Sequence, residues 1–507
     1  MIKRPHITAN TENFGKKMRQ QITPQLQLGQ IDIANIHIDV RSRDDIPQLL
    51  RGLQEIYKTP EVCEEVFHYL ESILPEEVSS DIGRPGMDLW SILVLGTLRV
   101  NINADYDRVL ELANEHKTLR EMLGHGLLDE DDEYCLQTIK DNLRMMTPEA
   151  LKQINQIVVR FGHEILGKED APLSGRCDSV VMETDVHYPT DINLLTDAIR
   201  KVIMLCGKGS EEYGIPGWRQ YEYNYQCIKN LYRQAQKLKP STSQDEEKQE
   251  AKRQQIIKAH EALIARSREF LDRAESTLMQ LEGLPLTKAL IEEIQLFMAH
   301  AERQIDQIKR RVIKGEKIPH EEKVFSVFEE HTEWIQKGKA GVPVELGLRV
   351  CILEDAMGFI LHHKVMEQQT DDKIAVEMVV EAKAQFPNLR LCSFDKGFYT
   401  KENREQLQDI LDKVVLPKKG RWSKQDRLIE SEEEFVGARR QHPAVESAIN
   451  ALEVHGLDRC LDHGIDSFKR YVALAVVGRN IQKIGSILLQ QEKEIEQKRQ
   501  QKLKRAA

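Results

Sequence analysis

Apolar residues recur at steps of three and four along much of this chain, a spacing that gathers them on one face of a helix. Leu49, Leu50, Leu53 and Ile56 follow a start at Ser42–Asp45 with Pro47, and Thr59-Pro60 opens a second helix at Glu61. After a GRPG turn at Gly83–Gly86, Asp88 caps an apolar helix through Trp90, Leu93, Leu95 and Leu98, with another helix around Tyr106–Ala113. Thr147-Pro148-Glu149 begins one carrying Leu151, Ile154, Val158, Phe161 and Ile165. Later, two long helices flank Gly283 and Pro285. Ile291, Ile294, Met298, Ala301, Ile305, Ile308 and Val312 form a coiled-coil seam on the second, and the first offers Ile256, Leu263, Phe270, Ala274, Leu278 and Leu281. The pair reads as an inserted helical hairpin that projects from the core.

Alternation marks the strands. Ile31, Ile33, Ile36, Ile38 and Val40 run at period two with one slip near Ala34, as a short strand or an extended arm. Asp178 sits beside Val180 and Val181 in a strand that ends at the turn HYPTD, where Pro189 keeps Tyr188 extended and Thr190 or Asp191 caps a helix. Val324–Phe328 reads as a strand. Val342, Val344, Leu346, Leu348, Val350 and Ile352 alternate cleanly, and DAMG joins them to FILHHKVM in a hairpin. A helix over Ile374–Phe386 precedes LRLCSFDKGFYT, a strand ending at Asp395. KVVLPKKGRW is a further strand with a basic tip, and a helix begins near Pro443 with Glu446 in its first turn.

The pattern divides the chain into an N-terminal arm and helices (1–80) and a helical, candidate DNA-binding domain (81–168). An α/β domain follows over 169–199 and 319–490, split by the hairpin insertion (200–318), with a charged tail at 491–507. The formal net charge of -10 excludes a globally basic nucleic-acid binder, so any DNA surface is a local patch. Lys418, Lys419, Arg421, Arg439, Arg440 and His442 are its candidates. Trp218, Tyr221, Tyr223, Tyr225 and Tyr232 among Arg219, Lys229 and Arg233 could stack bases, although an aromatic cluster is more often core. Eight cysteines without a CxxC pair speak against zinc and for a reducing compartment. No run reaches membrane-spanning length, so a soluble, cytoplasmic protein is expected.

A lone strand aspartate is more often a cap or surface acid than a ligand. Asp178, Asp395 and Glu446 together carry more weight, since two adjacent strands and a helix can bring three carboxylates to one point. Hard oxygen ligands so placed suit two magnesium ions, for which manganese can substitute, one activating a nucleophile and one stabilising the leaving oxygen. Glu183, Asp185 and Asp191 compete with Asp178, but they fall in or near the turn. The strand–hairpin–helix–strand order is that of an RNase H-like fold.

At these residues the chain resembles DDE transposases, in particular the insertion-sequence type called ISNCY. The matching pieces are CDSVVMETDVHYPTD, WIQKGK at Trp334–Lys339 ahead of VELG, SFDKGFYT, VVLPKKG, and HPAVESAINALEVHGLDRC with its tail FKRYVALAVVGRNIQKIG. GRPGMDLWSILVLGTLRV looks like the domain that precedes the catalytic one, so the resemblance runs from about Asp44 to Gly485. It implies a catalytic core split by a helical insertion, magnesium-dependent DNA cleavage and strand transfer, with Asp178, Asp395 and Glu446 as the acids. Terminal inverted repeats and target DNA are the implied partners, bound by a homodimer or higher oligomer. Many related transposases place Tyr and Arg before the glutamate and Lys after it, whereas here His442 stands four before and Glu453 seven after. A glycosidase would also pair carboxylates, but the PKKGRW tip suits phosphate better than sugar. An inactive or repurposed DNA-binding protein would keep the fold without needing all three acids.

Overall fold

A computed structural model describes residues 21–22, 29–39, 41–42, 44–74, 86–126, 133–336 and 344–506. The expected GRPG turn lies outside them except for Gly86, as do Val40, Val342 and the end of WIQKGK beyond Gln336. The chain forms two compact units, residues 1–185 with 347–507, and residues 186–346. The division thus falls at 185/186 and 346/347, where the sequence pattern suggested 199/200 and 318/319.

In the first unit the helix starts follow the caps. Asp44 accepts from the backbone at the start of α1 (Asp45–Lys58), Pro60 stands first in α2 (Pro60–Glu71), and Asp88 caps α3 (Leu89–Asn101). After α4 (Tyr106–Glu115), α5 (Lys117–Met122) and α6 (Leu136–Leu143), Thr147 caps α7 (Pro148–Ile165). The arm before α1 is not a strand: Ile33–Asn35 form a 3-10 turn. Ile33, Ile36 and Ile38 are still buried, and the Gln54 amide donates to the carbonyls of Ile33 and Ile36. That bonding to a helix side chain takes the place of a ladder partner.

Seven strands among the described residues form one mixed sheet in the order β2-β3-β1-β5-β6, with β4 beside β3 and β7 beside β1. They are β1 (Leu173–Thr184), β2 (Glu333–Gln336), β3 (Val344–Asp355), β4 (Ile360–Met366), β5 (Leu389–Phe394), β6 (Lys413–Val415) and β7 (Arg459–Cys460). β1 runs antiparallel to β3 and parallel to β5 and β7. Two expectations change. Val324–Phe328 is not a strand, because the Ser326 hydroxyl takes the N–H groups of Phe328 and Glu329 and turns the backbone. KVVLPKKGRW is a strand only to Val415, since Pro417 has no N–H and that of Lys418 goes to the Glu430 carboxylate.

The second unit holds α8 (Asp191–Tyr213), α9 (Tyr221–Lys237), α10 (Glu246–Leu281) and α11 (Lys288–Ile308). The expected hairpin, α10 and α11, exists, but it shares one apolar core with α8 and α9 through residues such as Leu195, Ile199, Phe270 and Ile305. Trp218, a candidate stacking residue, is 1% exposed in that core. Its Nε1 donates to Thr277 Oγ1 at 2.8 Å and its ring stacks on Phe270. It cannot also face a base.

The first unit closes with α12 (Asp371–Gln385), α13 (Lys401–Ile410), α14 (Lys424–Glu430), α15 (Glu433–Gln441), α16 (Ala444–Leu452) and α17 (Ile465–Ala506). α17 is long and apolar enough to cross a membrane by composition, but its apolar stretch is mostly buried against α1, α3 and α7 as a core helix. α1 and α17 touch closely: a Cβ on Gly52 would stand 2.1 Å from the Ile481 carbonyl oxygen. Polar pins register the helices on the sheet. Asn480 bridges Asn155 of α7 and both backbone groups of Ile360, and His163 meets Asp355 at 2.6 Å. Arg99 forks onto Asp462 with both side chains under 10% exposed. These groups fix how the N-terminal helices carry the sheet.

Candidate functional site

The site is built from the register of two parallel strands. Arg176 lies opposite Ser393 and Cys177 opposite Phe394, so the next residues, Asp178 and Asp395, are neighbours on strands about 4.8 Å apart. Side chains alternate along a strand, so Arg176 and Asp178 share one face, as do Ser393 and Asp395. His442, at the end of α15, covers that face: its Nδ1 lies 3.0 Å from Ser393 Oγ. Four residues on, Glu446 occupies the first turn of α16, which packs on β1. One face thus presents the three sequence-predicted acids.

Electrostatics tie them together. Asp178 is mostly buried, and desolvation pushes its carboxyl up to about 6 against a bond from the Ser179 N–H at 2.8 Å. Asp395, Asp371 and Glu446 contribute to that rise, in that order. His442 is held below the ordinary imidazole range by burial. Asp395 and Glu446 pull it upward, and Arg176 opposes them. The His442 Nε2 is buried with no hydrogen-bond partner.

Asp371 was missed by sequence reasoning. Its signal, Thr370-Asp371-Asp372 ahead of an apolar helix, reads as a cap. The structure instead joins it to Ser179, whose Oγ donates to Asp371 Oδ1 at 2.7 Å. Its other oxygen rests over the turn after Asp395, 3.1 Å from where a Cβ on Gly397 would be. A carboxylate on α12 therefore touches both chain segments that carry the aspartates. The rival acids are engaged elsewhere. Glu183 and Asp185 meet Arg459 at 3.2 and 3.7 Å, and Asp191 meets Arg311 at 2.9 Å.

The oxygen-only donors Asp178, Asp395 and Glu446, the last two near enough to raise the cost of ionising Asp178, fit a hard divalent cation by their chemistry. Among the described residues, however, no three His, Cys, Asp or Glu side chains stand together as a ready-made metal site.

The basic candidates fall into two groups. Lys418 pairs with Asp426, and Arg439 approaches Glu430 at 3.6 Å, so both are already partnered. Lys419, Arg421 and Arg440 are exposed, and their side chains make no ion pair among the described residues. His442 belongs with the acids rather than with this surface. No protein-family model, curated protein or solved structure matches the chain.

Proposed function

We propose that this chain is a DDE transposase of the ISNCY type, with an RNase H-like core. It would bind the terminal inverted repeats of an insertion sequence and catalyse DNA cleavage and strand transfer. One observation carries the reading: the β1–β5 register sets Asp178 beside Asp395, on the face where the following helix presents Glu446. Two parallel strands and a helix supply the acids in the order that the resemblance requires.

In this reading Asp178, Asp395 and Glu446 would hold magnesium, which would supply charge neutralisation at the nucleophile and the leaving oxygen. The chain's own groups do the rest. Above pH 6 the Asp178 carboxyl is ionised and ready to ligate, and its Oδ1 is aimed by the Ser179 N–H. Lys419, Arg421 and Arg440 meet backbone phosphates and set the position of the scissile bond. A water oxygen bonds to phosphorus as the 3′ oxygen leaves. The freed 3′ hydroxyl then attacks a target phosphate in the same way, displacing that strand's 3′ oxygen. The protein works in the cytoplasm on nucleoid DNA, as a dimer or larger assembly.

A second reading is a DNA-binding protein that has lost cleavage, and it is favoured because no three-ligand site is preassembled among the described residues. Purified protein with an end-labelled element terminus separates the two. Nicking in magnesium, abolished by chelator and by Asp178→Asn, Asp395→Asn or Glu446→Gln, supports the enzyme. Retardation of the DNA without nicking in either magnesium or manganese supports the binder. Neither nicking nor retardation refutes both.

A further inference from the structure

The loop between β6 and α14, together with α14 itself, has its charges sorted by sign. The two α14 acids at 426 and 430 point inward. Asp426 accepts from Lys418, from Arg404 at 3.0 Å, and from both the N–H and hydroxyl of Ser423 in a capping box. Glu430 takes the Lys418 N–H at 2.8 Å and faces Arg439. The next acids, Glu432, Glu433 and Glu434, are all exposed, and Glu432 and Glu434 pair with Lys413. Lys419, Arg421, Lys424 and Arg427 are exposed and make no side-chain ion pair among the described residues. Gly420, at φ 93°, makes the turn that separates the first two.

Trp422 stands among these cations. It is 37% exposed and makes no ring or cation contact among the described residues. Trp90 and Trp218, by contrast, are each 1% exposed. An indole left half in water costs apolar hydration, and here the segment around it is braced by the Asp426 and Glu430 bonds rather than collapsed over it. Unpaired cations on both sides suit phosphates, and the exposed part of the indole suits a base.

We infer that the β6–α14 loop, through Trp422 and its flanking Lys419, Arg421 and Lys424, binds unpaired nucleotides of DNA, with the indole stacking on a base. This rests on the DNA-processing reading above and adds a preference for single-stranded or overhanging ends over intact duplex. Stacking needs a base face, which a continuous duplex hides.

Fluorescence anisotropy on the full-length protein tests it, with three labelled DNAs: a blunt duplex, the same duplex with a three-nucleotide overhang, and its single strand. Trp422→Ala is expected to weaken the overhang and single-strand complexes roughly 5- to 100-fold. It should leave the blunt duplex and all salt slopes unchanged, and Trp422→Phe should retain most of the affinity. Lys419→Gln with Arg421→Gln should weaken all three and lower the single-strand salt slope by about 1.4. Equal affinity of wild type and Trp422→Ala for all three DNAs overturns the stacking while leaving duplex binding, and hence the function, standing. Heparin, a polyanion without bases, losing as much affinity as the single strand on Trp422→Ala also overturns it. No DNA bound by the wild type overturns both readings.

Discussion

Replacing Asp178 with asparagine should stabilise the metal-free protein, and the effect should depend on pH in one direction. The carboxyl is raised from 3.8 to about 6, so the folded state prefers it neutral. Below about pH 4 the group is protonated in both folded and unfolded chains and contributes nothing. Between about 4 and 6 the folded chain holds a proton that the unfolded one has released, and the penalty grows until it levels off above 6. The gap between 3.8 and 6 corresponds to about 3 kcal/mol. Partial exposure of the site screens part of it, and asparagine keeps an oxygen for the Ser179 N–H, so the expected gain above pH 7 is about 1–2 kcal/mol. That is roughly 2–6 °C in Tm for a large domain. Thermal unfolding of wild type and variant at pH 4 and pH 8, with and without magnesium, is the assay. Wild type should gain from magnesium at pH 8 and the variant should not, while element-end nicking falls below detection. A variant that is less stable at pH 8, or equally stabilised at pH 4 and pH 8, would refute the reasoning.

Three other outcomes are expected. Asp371→Asn keeps an acceptor for Ser179 Oγ but removes a charge that raises Asp178, so the acid limb of the nicking rate should move to lower pH; an unmoved limb counts against Asp371. Arg99→Ala leaves the buried Asp462 with only the longer Arg470 contact at 3.8 Å, and the guanidinium is also lost from the Tyr106 ring at 3.8 Å. Denaturant unfolding should show a loss of about 3–5 kcal/mol, largely recovered by adding Asp462→Asn. Replacing Gln244–Lys314 with a Gly-Ser linker should unfold residues 186–346, because Leu195, Ile199 and Trp218 lose their packing partners; a shortened chain with native protection from proteolysis there would contradict this.

What the sequence by itself determined was mostly local. Caps and prolines marked the starts of α1, α2, α3, α7 and α8, because an orphan N–H needs a nearby acceptor and a proline needs a first turn. Alternation marked β3, and β-branched or apolar runs marked β1, β4 and β5. The three candidate acids were legible as carboxylates on a strand (Asp178), after a strand (Asp395) and at a helix start (Glu446). Only the tertiary structure decided how they meet, because register is set by pairing between segments more than two hundred residues apart. Asp371 was hidden for the same reason: its cap-like context is local, but its bond to Ser179 spans β1 and α12. Val324–Phe328 failed as a strand because a single serine hydroxyl outcompeted the ladder, an event apolar patterning does not record. Trp218 and Trp422 look alike in sequence, each an aromatic among basic residues. Packing against Phe270 buries the first, while inward-turned acids leave the second facing water with its cations free.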